Sequence, residues 1–253
     1  MSGDVVVRCR GVSKQWADSR PVLDDVTFDL HSGEWLGIIG PNGAGKTTLM
    51  RALAGLTAYD GTVTLGNGEL PTPLDIALVP QNPVLPPGMS VAEYVLIGRT
   101  AHLGWLARES KHDRQVVADT LRRLDLVRFG DRPITALSGG EAQRVVVARA
   151  IVQQSPIVLL DEPTTALDLG HQTAVLEMID DLRRVDGISV IAAMHDLSHA
   201  ARFADRMALL SAGRIVADAA PAEVLDEALL SEVYATPLRV RTVDGDLLVL
   251  PAR

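Results

Sequence analysis

Three stretches of the 253-residue chain carry residue types suited to phosphate chemistry. The first, GPNGAGKT at 40–47, fits the pattern G-x-x-x-x-G-K-[ST]. Gly40, Gly43 and Gly45 allow a loop, completed by Pro41, Asn42 and Ala44, whose backbone N–H groups turn inward around phosphate oxygens. Lys46 supplies a cation for the β- and γ-phosphates, and the Thr47 hydroxyl suits Mg²⁺; Thr48 adds a second hydroxyl at the same helix start. That helix points its positive end at the same anion. The expected ligand is ATP with Mg²⁺.

The second stretch is the pair Asp161-Glu162, directly after the apolar run IVLL. Such a run reads as a parallel strand buried on both faces, and ligands of parallel sheets bind beyond the carboxyl ends of the strands. Asp161 is placed to hold Mg²⁺ through a water, and Glu162 to polarise an attacking water. A structural ion pair is the competing role for adjacent carboxylates. His195 follows a further strand-like run, ISVIAAM, and is placed to bond a γ-phosphate, with Asp196 starting the next helix. His31, His102, His112, His171 and His199 are expected on the surface.

The third stretch, LSGGEAQR at 137–144, raises a question. Ser138 and Glu141 have capping-box spacing, which accounts for a helix start. It leaves Gly139 and Gly140 unexplained. Two consecutive glycines cost chain entropy, and they help where an anion must approach backbone N–H groups closely.

These residues need a scaffold, and the flanking pattern supplies one. Short β-branched runs at 5–9, 22–30, 35–39, 61–65, 76–79, 157–160, 189–193 and 207–210 alternate with amphipathic stretches, as in an α/β fold. A helix is expected at 47–54, stopped by Gly55. Residues 90–154 hold no convincing strand, and Val116, Val117, Thr120, Leu121 and Leu124 share one helical face. The reading is an α/β core of residues 1–81 and 155–235, interrupted by a helical subdomain at 82–154. Runs at 240–243 and 247–250 flank Asp244-Gly245, a tight-turn signal that predicts a terminal hairpin within 236–253.

Bulk composition narrows the classes. Hydrophobic residues make up 47% and charged residues 22%, as in a globular protein. A net charge of −8 argues against a nucleic-acid surface. The single cysteine, Cys9, excludes an internal disulfide and fits a reducing compartment. The first ten residues lack the apolar core of a signal peptide, and no apolar run approaches the roughly 18–20 residues of a membrane span.

In LSGGEAQR the chain resembles the ATP-binding cassette (ABC) proteins, whose signature motif it matches apart from Glu141, where that family most often has Gln. The resemblance covers about residues 5–235 and implies a P-loop NTPase core: a parallel sheet, an antiparallel β subdomain and an inserted helical subdomain. Further elements follow in order. Trp16 is similar to the aromatic that stacks on adenine, although a lone Trp is more often core; Gln81 in ALVPQN is similar to the Q-loop glutamine, a metal ligand that senses a transmembrane partner. Asp161 and Glu162 resemble the Walker B aspartate and catalytic base, Ala166-Leu167-Asp168 the D-loop, and His195 the switch histidine. The resemblance implies that the signature of one subunit faces the P-loop nucleotide of a second, which would explain the extra glycines. Two copies, or this chain and a homologous ATPase, would close head to tail on ATP and reopen on hydrolysis. Partners would be separate transmembrane permease chains and, indirectly, an extracytoplasmic substrate-binding protein, which places the chain at the cytoplasmic face of the membrane.

Segments GRTAHLG (98–104) and LDLGHQ (167–172) resemble the importer subfamily for iron–siderophores, haem and cobalamin. Both can equally be ordinary helix-boundary residues. A second hypothesis is an ABC ATPase of iron–sulfur cluster scaffolds, which works without a membrane. A chromosome or DNA-repair ATPase fails, because the interval between Lys46 and Ser138 has no room for coiled-coil arms.

Overall fold

The computed structural model describes residues 3–17, 20–103, 107–165 and 167–252. Gly104 and Ala166, invoked above, lie outside the described residues. Three strands are buried along their whole length: β3 (Trp35–Ile39), β6 (Ile157–Asp161) and β7 (Ser189–Ala193). Continuous apolar sequence suits a strand covered on both faces. They form the middle of a six-stranded sheet with β5 (Ile76–Val79), β8 (Arg206–Ser211) and β9 (Arg214–Ala219), in the order β5-β6-β7-β3-β8-β9. Every pair is parallel except the edge pair β8–β9.

A second, antiparallel sheet has the order β2-β1-β4, from β1 (Val5–Lys14), β2 (Leu23–His31) and β4 (Asp60–Leu65). Helix α1 (Lys46–Leu53) lies between the two sheets. Its Leu49, Met50 and Leu53 share one cluster with Val7, Cys9 and Leu30 of the antiparallel sheet and Ile38 and Ile191 of the parallel one. The other face of the parallel sheet is covered by helices, with Trp35 and Phe203 at 5.8 Å between ring centroids.

The helical stretch holds α2 (Val91–Leu96), a 3₁₀ segment (Ile97–His102), α3 (Lys111–Arg123) and α4 (Gly139–Ile151). The three α-helices all start with capping boxes, on Ser90/Glu93, Ser110/Asp113 and Ser138/Glu141. Of the predicted α3 face, Val117, Thr120, Leu121 and Leu124 are buried and Val116 half-buried. Buried Arg99 ties this region together: its Nε donates to Asp113 Oδ1 (2.9 Å), and Nη1 to Val152 O and Gln154 Oε1 (2.7 Å each).

Helices α5 (Leu169–Asp186), α6 (Leu197–Phe203), α7 (Pro221–Val224) and α8 (Glu227–Val233) follow. The chain ends in the hairpin β10 (Leu238–Val243) and β11 (Asp246–Pro251). Its two-residue turn has positive φ at both Asp244 (52°) and Gly245 (94°), the I′ geometry that matches strand twist. The hairpin packs on α6, where Val249 N–H donates to Ser198 Oγ at 3.1 Å.

Strand β9 and helices α7 and α8 were not anticipated from sequence. Two histidines also depart from the surface expectation. His31 is half-buried with Nδ1 2.9 Å from Gly3 O, and His199 is half-buried on α6, facing inward. His102 is exposed but anchored, its Nε2 2.7 Å from Gln153 O.

Candidate nucleotide site

Because β6, β7 and β3 are neighbours and parallel, their carboxyl ends deliver three loops to one edge. There a cleft of about 550 Å³ is lined by Asn42, Gly43, Gly45, Lys46, Thr47, Thr48, Gln81, Glu162 and His195, with Val22 and Thr165. Gly40 and Ala44 are buried beneath it, and Ala44 N–H closes the loop on Pro41 O at 3.2 Å. Gly45 takes φ 111°, and a Cβ there would come within 2.6 Å of Val22 O, so only glycine fits this bend.

Lys46 is buried, and its Nζ donates to Gly40 O (2.9 Å) and Pro41 O (3.4 Å), 3.6 Å from Glu162 Oε1. Thr47 Oγ1 donates to Asp161 Oδ1 at 3.0 Å. Burial raises the Asp161 pKa above the usual carboxylate range, a shift that the Thr47 bond opposes and the Glu162 charge reinforces. Thr47 and Asp161 are hard oxygen donors on one side of the P-loop, the chemistry Mg²⁺ prefers. Among the described residues no cluster of three or more His, Cys, Asp or Glu side chains stands ready to hold a metal ion.

Glu162 is the most constrained residue of the site. Its backbone sits in the left-handed region at φ 49°, with its N–H bonded to Ala193 O at 3.0 Å. Its carboxylate accepts from Gln81 Nε2 at 2.7 Å and Thr165 Oγ1 at 3.2 Å. Gln81, expected as a metal ligand, thus holds the Glu162 carboxylate through its amide N–H, and its carbonyl makes no bond to Thr47 or Asp161. Sequence reading passed over Thr165. Its only signal is a hydroxyl three residues after Glu162, the spacing of a turn that closes back on itself. His195 is exposed at the cleft, just beyond β7.

The remaining expected residues lie off the cleft. Trp16 is 52% exposed, with Lys14 Nζ 4.3 Å from its ring centre, and Val22 rather than Trp16 lines the wall. Asp168 caps α5 through the His171 N–H at 2.9 Å. Ser138, Gly139, Gly140 and Glu141 open α4 and none of them lines the cleft. The Glu141 carboxylate turns back to accept from Ser138 N–H (2.9 Å) and Oγ (2.8 Å), bonds that hold its pKa below the usual range. The negative charge of Glu141 is thereby aimed at its own cap.

Residues 23–165, spanning the P-loop through Asp161 and Glu162, match the family described as ABC transporter. The chain belongs to this family. It is an ATP-binding protein of the ABC transporters, and an ATPase. A relative from Rhodococcus jostii (strain RHA1), the hemin import ATP-binding protein HmuV, is 42% identical over 100% of this chain and 88% of its own. Among solved structures, a chain of an ABC transporter assigned to the metal-chelate type, in an inward-facing conformation, superposes with TM-score 0.87 at 28% identity, covering 98% of both chains. A bacterial ABC transporter cassette solved as a dimer in a post-hydrolysis state with ADP and Pi gives TM-score 0.73 at 28% identity, over 85% of this chain and 98% of its own. These relatives lend no support to the iron–sulfur scaffold alternative. No helix among the described residues is long and apolar enough to cross a membrane.

Proposed function

We propose that the chain is the ATP-hydrolysing motor of a membrane importer for iron–siderophore, haem or cobalamin cargo, with haem favoured by the Rhodococcus relative. The unit is a single cassette of residues 1–235, with a core of 1–81 and 155–235, a helical subdomain at 82–154 and the hairpin extension at 236–253. One observation carries the mechanism: the cleft gathers Lys46, Thr47, Glu162 and His195, whereas Ser138–Glu141 open a helix away from it. Donors that do not serve their own cleft are suited to serve another.

Two copies close head to tail, each placing Ser138, Gly139 and Gly140 on the ATP held by its partner's P-loop. Lys46 neutralises β/γ charge, and Thr47 and Asp161 would hold Mg²⁺, which neutralises charge developing on the phosphates. Glu162 orients and deprotonates the attacking water, His195 bonds the γ-phosphate, and Asp168 sits where the two copies meet. ATP favours the closed state because its contacts are complete only there.

Beyond Gln81 the chain runs into a groove of about 460 Å³ whose walls include Met89, Leu96, Ile97 and Leu103, with Glu93 and Glu109. Its apolar floor and acidic rim suit a short permease helix with a basic residue, which would dock the chain peripherally at the cytoplasmic face. An extracytoplasmic binding protein acts through that permease.

The test is Glu162→Gln with saturating MgATP, followed by size-exclusion chromatography with light scattering. A stable dimer with little hydrolysis is expected, and a persistent monomer overturns the closed-dimer mechanism.

A further inference from the structure

His171 stands on the first turn of α5, between two elements that meet the partner copy in the mechanism above. One side of its ring faces Asp168, with Nδ1 2.8 Å from both Oδ1 and Oδ2, while its backbone N–H donates to the same Oδ1 at 2.9 Å. With a carboxylate as partner, Nδ1 carries the proton. The other side rests on the signature helix. A Cβ at Gly140 would overlap the ring, within 2.9 Å of Cγ and 3.1 Å of Nε2. A Cβ at Gly139 would meet only Leu167 Cδ2, at an ordinary 3.7 Å. The two glycines of the signature therefore differ. Gly139 is exposed and open to a ligand, whereas Gly140 is buried and small because a ring lies on it.

We propose that His171 is a positioning residue that clamps the loop ending at Asp168 to the start of α4, so that both meet the partner copy as one rigid piece. This rests on the closed-dimer reading. A carboxylate partner alone would only cap α5, and a ring contact alone would only fill space. Joined in one side chain, they fix the distance between the D-loop and the signature. An imidazole suits the task because it has a donor on one edge and a C–H on the other, which a glycine can lie against.

The experiment uses the full chain in a Glu162→Gln background, with dimer dissociation measured by analytical ultracentrifugation in MgATP. Three variants separate the contacts. His171→Asn keeps an amide donor for Asp168 and loses the ring edge over Gly140. His171→Phe keeps the ring and loses the donor, and His171→Ala loses both. All three are expected to weaken the dimer at least tenfold, while monomer ATP affinity by calorimetry and the melting temperature stay at parental values. A parental dimer that fails to form overturns the closed-dimer reading itself. A parental dimer matched by the Asn or the Phe variant overturns the clamp, and so does a loss of dimer that tracks a loss of melting temperature. A second measurement needs no dimer: Gly140→Ala is expected to lower the melting temperature of the nucleotide-free chain, and to be neutral or stabilising once His171→Ala has removed the ring. Equal drops in both backgrounds overturn the ring–glycine contact.

Discussion

Gln81 Nε2 donates to Glu162 Oε2 across 2.7 Å, joining the residue just before the helical stretch to the carboxylate that follows β6. In the proposed mechanism, a permease that moved Gln81 would move, or free, the Glu162 carboxylate. A hydrogen bond to a charged group is worth about 1.5–3 kcal/mol. Gln81→Ala should leave ATP affinity near normal and change the turnover number by roughly tenfold or more, read from steady-state ATPase assays. Gln81→Glu brings a second carboxylate to the base. Like charges raise one another's pKa, so the acid limb of the pH–rate profile should move to higher pH. An unmoved limb would break the link.

Lys46 is buried and tied to Gly40 O and Pro41 O, so it already stands inside the phosphate loop. Lys46→Ala should abolish measurable ATP binding in calorimetry with little effect on melting temperature. Near-normal affinity would contradict the role of the loop.

Cys9 lies in the core beside Val7 and Leu30, and burial pushes its thiol up to about 12. The thiolate is the reactive form, so a chromogenic disulfide reagent at pH 8 should leave the native chain unmodified. One equivalent should react in guanidinium.

The Arg99–Asp113 pair is buried at 2.9 Å, and hydrogen bonds from Ser110, with help from Arg99, hold the Asp113 carboxyl well below the usual carboxylate range. A depressed folded pKa gives stability that is complete above the unfolded value and lost as pH falls through the folded one. Asp113→Asn should therefore flatten the loss of stability on acidification below about pH 4. Asp113→Ala should lower the melting temperature at neutral pH by roughly 5–10 °C, because a buried guanidinium loses its partner.

Met89 lines the groove of the helical stretch and is not part of the cleft. Met89→Arg should leave basal ATPase unchanged and abolish co-purification with the permease. Retained co-purification would place the docking surface elsewhere.

Much of this arrangement was legible in sequence where a residue had one physical reason to be there. Trp35–Ile39 is apolar throughout and Ser189–Ala193 is apolar after its first residue, and both are strands to the residue. Asp244-Gly245 gave the terminal turn because both positions need positive φ. The turn into β9 was opaque for the converse reason: Ala212 takes φ 47°, a conformation its side chain disfavours, so the stretch offers only Gly213 as a signal. Within the site, motif spacing located Lys46, Asp161, Glu162 and His195. It could not reveal that Gln81 bonds Glu162, or that the His171 ring lies against Gly140. Those are contacts between residues far apart in the chain, and they exist only once the sheet has brought the loops together.

The hairpin on α6 ties function to the order of synthesis. The helix that continues from His195 gains its outer support from residues 246–251, which are translated after every residue that lines the cleft. A nascent chain thus makes its phosphate loop, and the whole of α6, before the hairpin that buttresses this helix emerges from the ribosome.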